Sequence, residues 1–130
     1  MRITSILGLC GVLAACVPVP EPADGRKEYI DKCAACHGVD AKGEGSFGRN
    51  LFVIPPDLTN LASDNGGVFP RNEVMSIIDG LARDPHFSRA MPEFGASDLG
   101  DVIIVEQDGI GTPVPEKLLA LTDYLESIQD

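Results

Sequence analysis

The chain has 130 residues, enough for one domain of ordinary size. Ten Lys and Arg stand against 20 Asp and Glu, and the formal charge of −10 repels nucleic acid and anionic lipid surfaces, so a protein partner must offer a basic patch or be indifferent to charge. With five Phe, two Tyr and no Trp, the core is thin, and such a chain gains most if something large and apolar fills its centre.

The first residues do not read as domain sequence. Met1 and Arg2 give a short positive end, and Ile3 to Ala15 then runs 13 residues without a charge. That length suits the apolar region of a signal peptide and is too short to span a bilayer comfortably. The run ends in Leu13-Ala14-Ala15-Cys16, which resembles the lipobox of bacterial lipoproteins. The resemblance implies cleavage before Cys16, a diacylglycerol on its thiol and an acyl chain on its new amine. Cys10 follows the bulky Leu9, where a small residue is needed, and so belongs to the discarded segment. Residues 1–15 are therefore expected to be a signal peptide and residues 16–24 a lipid-anchored linker, its prolines keeping it extended and out of any core. The mature chain is expected on the periplasmic side of a bacterial membrane. Loss of Arg2 leaves it at −11.

Residues 25–130 are the domain. Asp24 is placed to cap a helix over GRKEYIDKCAACH, in which Tyr29, Cys33 and Cys36 fall on one face at steps of four and three. Residues 38–69 are rich in Gly, Asn and Pro and read as loops with short turns. Asn72 to Ala82 reads as a second helix, capped by Asn72, with Val74, Ile77, Ile78 and Leu81 as its apolar stripe. Residues 83–95 return to loop. The β-branched run Val102 to Val105 and the Asp108-Gly109 turn predict a short hairpin or extended loop. Pro115 suits the first turn of a last helix to Asp130, whose buried face is Leu118, Leu121, Leu125 and Ile128.

The chemistry is concentrated in CAACHG, Cys33 to Gly38. C-x-x-C-H is the attachment signature of haem c. Two thiols one helical turn apart reach the two vinyl groups on adjacent porphyrin edges, and the next residue turns an imidazole towards the iron. Other readings are weaker. A thioredoxin-like redox pair needs a βαβ context that this sequence lacks. A zinc site needs a fourth ligand, with His86 or a carboxylate as the candidates. A plain disulfide leaves His37 unexplained.

The remaining motifs resemble class I cytochromes c from about Asp24 to the C-terminus. Gly25, Tyr29 and Cys33 stand at the family's four-residue steps, and PPDLT (Pro55 to Thr59), AMPEFG (Ala90 to Gly95) and LTDYL (Leu121 to Leu125) follow in the family's order. The resemblance implies an all-α fold of three to four helices around one covalently bound haem, with Cys33 and Cys36 in the thioethers and His37 as proximal ligand. It also implies that the Pro56 carbonyl accepts the other imidazole N–H, that Leu58 packs on the haem, and that Gly25 and Tyr29 cross Leu121 and Tyr124. Met91, in a loop before Pro92, is the sixth ligand by position. Met75 lies on a helix where methionine usually fills core, and His86 would give a bis-histidine site of lower potential. The segment 97–115 exceeds the family's usual length before the last helix. The function implied is one-electron transfer with redox partner proteins, as a carrier, or alternatively as a fixed subunit of an oxidase, reductase or dehydrogenase, or a haem-based ligand sensor.

Overall fold

Asp24 caps the first of the described helices. Its carboxylate accepts a hydrogen bond from the Lys27 backbone N–H at 3.0 Å, which satisfies one of the donors a helix start leaves orphaned, and its carbonyl accepts the first intrahelical bond, from Glu28. In the computed structural model, which describes residues 22–82, 91–97, 99–107 and 109–130, helix α1 spans Gly25–Lys32 and α2 spans Ala34–His37. The expected single helix is thus interrupted at Cys33, whose N–H still bonds the Tyr29 carbonyl at 2.8 Å while its own carbonyl accepts from Cys36 and His37. The signal segment, Cys16 and His86 lie outside the described residues.

Residues 38–60 wind back over α2 with two 3₁₀ turns, Gly48–Asn50 and Leu58–Asn60, and the one-turn helix α3 follows at Leu61–Asp64. This stretch holds more helix than its Gly and Pro content predicts, and five α-helical segments stand among the described residues where three to four were expected. Helix α4 spans Arg71–Asp79. Its cap is Pro70, two residues before the expected Asn72, because the Pro70 carbonyl accepts the Val74 N–H and the Arg71 side chain is tied to Asp123 and Glu126. It stops short of Ala82 because Gly80 takes the left-handed conformation (φ 95°) that ends helices. Val74 and Ile78 are buried, but Leu81, beyond that break, is 82% exposed and does not join the stripe.

Strands β1 (Val102–Gln107) and β2 (Ile110–Pro115) form the antiparallel hairpin, with Ile104 opposite Pro113. Helix α5 then runs Glu116–Ser127, with Pro115 just before its first turn. Leu118, Leu121 and Leu125 are buried, each worth roughly 1.5–3 kcal/mol of burial, and the buried Thr122 hydroxyl donates to the Leu118 carbonyl at 2.8 Å. No described helix is long and apolar enough to cross a membrane.

The frame is the crossing of α1 and α5. A Cβ on Gly25 would sit 1.9 Å from the Ala120 carbonyl oxygen, so only glycine lets the two backbones meet there. One turn on, the Tyr29 and Tyr124 rings pack with centroids 5.3 Å apart and tilted by 46°. Gly25→Ala must push the helices apart and is expected to cost about 1–3 kcal/mol, the usual range for overpacking, read from urea unfolding of the haem-loaded chain. Unchanged or raised stability would show that the crossing is not this tight.

Candidate functional site

The site is built on the α1–α2 corner. Tyr29 is fully buried, and its hydroxyl donates to the Gly38 carbonyl at 2.7 Å. That bond pins the end of α2 to the α1–α5 crossing, and burial holds the Tyr29 phenol well above the usual range, with Cys33 as the next cause. The three chemically active residues therefore sit on one turn whose two ends are fixed.

Cys33 and Cys36 are half-buried and not bonded to each other. Burial pushes the Cys33 thiol up to about 12, Lys32 pulling the other way. Among the described residues, no three His, Cys, Asp or Glu side chains converge as a metal cluster would require, so Cys33, Cys36 and His37 do not point at a common centre. His37 is half-buried, and burial lowers its pKa against the opposing pull of the Pro56 carbonyl. His37 Nδ1 is buried with no hydrogen-bond partner among the described residues. A buried imidazole nitrogen facing an unmade bond is costly unless something completes it.

The loop beneath His37 is held from both sides. Gly43 donates to the His37 carbonyl at 2.7 Å, and its φ of 83° lets the Pro55 carbonyl approach to where a Cβ would lie 2.2 Å from it. Leu58 donates to the Ala41 carbonyl at 2.8 Å and packs half-buried against the core. From the other end of the chain, the Gln129 amide donates to the Leu58 carbonyl at 2.8 Å and accepts from Ala62 N–H at 2.9 Å. The Asp130 N–H donates to the Thr59 carbonyl at 3.0 Å. Thr59, buried, directs both its N–H and its hydroxyl to Asp57, which holds that carboxyl below its ordinary range. The Gln129–Asp130 clamp has no signal in the sequence, since amides near a C-terminus are ordinarily solvent-facing.

Met91 is half-buried and packs against the core just before the 3₁₀ turn Phe94–Ala96, which leans on α4. Met75 lies elsewhere in the fold. It lines a cavity of about 290 Å³ between α4, the hairpin and α5, with Val105, Val114 and Leu119. The loop leading to Pro55 leaves Phe47, Phe52, Val53 and Ile54 all more than half exposed, apolar surface crowded into one stretch.

A family model described as cytochrome c oxidase, cbb3-type, subunit III matches residues 20–105, more than half of the chain. The match takes in the Cys33–His37 turn, the segment Pro55–Thr59 and Met91, and ends within β1. No solved structure matches the chain.

Proposed function

Because the chain belongs to the cytochrome c oxidase, cbb3-type, subunit III family of c-type cytochrome domains, we propose that it carries single electrons between exported or membrane-bound redox proteins. Its cofactor is haem c, covalently bound, with iron at its centre. The one C-x-x-C-H of the sequence supports a single haem per chain. When bound, the haem supplies a one-electron couple whose potential depends on axial ligands, nearby hydrogen bonds and burial.

The residues of the α1–α2 corner fit that group. Cys33 and Cys36 offer two unbonded thiols one turn apart and hold the haem through thioethers. His37 follows them as proximal ligand. Its Nδ1 is buried without a partner among the described residues, with the Pro56 carbonyl as the acceptor this reading assigns to it, and that unmet bond is the observation that carries the reading. A proton on Nδ1 directed at that carbonyl fixes the tautomer and leaves the other ring nitrogen free to ligate. The Gln129–Asp130 clamp keeps the carbonyl in place. Leu58 shields the same side. Met91 would be the second side chain to hold the iron, which would leave no open position for substrate and favours electron transfer over catalysis.

The chain is tethered through Cys16 on the periplasmic side of a bacterial membrane, with residues 16–24 as spacer. Each buried methylene contributes about 0.8 kcal/mol, so two or more long chains anchor where one does not. Cys16→Ser is expected to abolish fatty-acid labelling. Equal labelling of variant and wild type would remove the anchor from the account.

The formal charge of −10 favours a partner with a basic docking patch, screened over a Debye length of about 8 Å at physiological salt. Stopped-flow electron transfer with a candidate exported redox partner is expected to slow as salt rises. The description of the matched family favours a second reading, a fixed subunit of an oxidase. A salt-independent rate within a stable complex would support that reading over the carrier.

A further inference from the structure

We propose that the outer edge of β1 is a docking site for an extended, basic-flanked segment of a partner protein, which joins the hairpin as a third strand. The site lies on the hairpin, away from the α1–α2 corner, and stands whether or not the docked partner exchanges electrons.

The register fixes which backbone groups face outward. Glu116 N–H bonds the Asp101 carbonyl at 2.8 Å, and these two residues continue the ladder one step beyond the Val102–Pro115 pair. Hydrogen-bonded pairs alternate in an antiparallel ladder. The bonded pairs are therefore Ile103–Val114, Val105–Thr112 and Gln107–Ile110. The N–H and C=O groups of Val102, Ile104 and Glu106 point away from β2. On the opposite edge the outward positions are Gly111, Pro113 and Pro115, two of which have no N–H to offer. Prolines thus blunt the β2 edge, a common protection. The β1 edge has neither proline nor lysine, and among the described residues the sheet has only these two strands.

The side chains agree. Ile103, Val105, Thr112 and Val114 share the face turned towards the α4–α5 cavity, where Val114 is 6% exposed. Val102 and Ile104, on the other face, are 61% and 69% exposed. A two-stranded hairpin is marginal by itself. A third strand would pair the backbone groups that have no partner among the described residues and cover these two side chains, the usual mode of strand addition.

Charge selects the occupant. From Glu93 to Glu116 the sequence carries six acidic residues and no Lys or Arg, and Asp101 and Glu106 bracket the open edge. A second copy of the chain would bring two such acidic stretches together. A foreign strand with lysines or arginines at its ends meets complementary charge instead.

The test uses the full haem-loaded chain and a synthetic Val–Thr repeat peptide capped by lysines at both ends, with a glutamate-capped peptide of the same repeat for comparison. The lysine peptide is expected to bind, less tightly as salt rises, and the glutamate peptide to bind about tenfold more weakly or not at all. Ile104→Pro removes an outward N–H and one of the two exposed side chains, spares the ladder bonds to β2, and is expected to weaken the lysine peptide by about tenfold or more. Glu106→Lys, which leaves the backbone untouched, is expected to narrow or reverse the preference between the peptides and keeps the test decisive if the proline variant misfolds. Failure of the lysine peptide to bind, equal affinity for the two peptides, or an unchanged preference in Glu106→Lys would overturn the proposal. So would a dimer, seen by sedimentation, that Ile104→Pro dissolves, since the occupant would then be a second copy.

Discussion

Replacing Cys33 and Cys36 together by serine is expected to give a polypeptide from which acid–acetone strips all haem colour, while the wild-type chain keeps one haem through the same extraction. In the proposed assignment the two thiols are the means of covalent attachment, and serine hydroxyls do not add to vinyl groups. The loss also bears on stability, because the described core comprises only ten buried hydrophobic residues. A chain deprived of its haem is expected to unfold at lower urea than the loaded one, since folding of the loaded chain also buries the apolar surface of the attached group. Each single variant is expected to retain one thioether and part of the attached colour. Haem that stays with the double variant, or two haems on each wild-type chain, would contradict the assignment.

Met91→Ala is expected to abolish the weak sulfur-to-iron absorption at the red end of the oxidised spectrum. It should also lower the potential by on the order of 100 mV or more, a modest share of the roughly 0.8 V that axial ligation spans. Thioether ligation favours the reduced iron, so its loss has this sign. The reduced variant is further expected to bind carbon monoxide readily. Met75→Ala and His86→Ala should keep the absorption, Met75 because it lines the cavity beside the hairpin with Val105 and Leu119. If the band survives in Met91→Ala and vanishes in Met75→Ala or His86→Ala, the sixth ligand has been misassigned.

Much of this architecture is written in local sequence. Asp24 caps α1 as its residue type and position predict, and the Val102–Val105 run does lie in a hairpin. The crossing of Gly25 and Tyr29 with α5 is the one that the resemblance to class I cytochromes c implies. What local pattern does not carry are decisions made across long chain separations. Helix α4 begins at Arg71, not Asn72, in a setting where the Arg71 guanidinium reaches Asp123 and Glu126 on α5. The loop under His37 is fixed by Gln129 and Asp130, some seventy positions away in sequence, and no periodicity or composition announces that pairing. The short helical turns of residues 48–64 are likewise set by packing in a stretch whose glycines and prolines argue for loop. Leu81 fits its stripe by spacing and leaves it because Gly80 ends the helix first.

The most direct test of the central claim is a potentiometric titration of the haem-loaded chain, followed at the haem bands and at the sulfur-to-iron absorption, beside a carbon monoxide titration of the reduced protein. The account predicts a single one-electron transition, a sulfur-to-iron band that tracks the oxidised fraction throughout, and little carbon monoxide binding by the native protein. A native spectrum without that band, or ready carbon monoxide binding by the intact reduced chain, would contradict an iron closed on both faces and with it the electron-transfer reading.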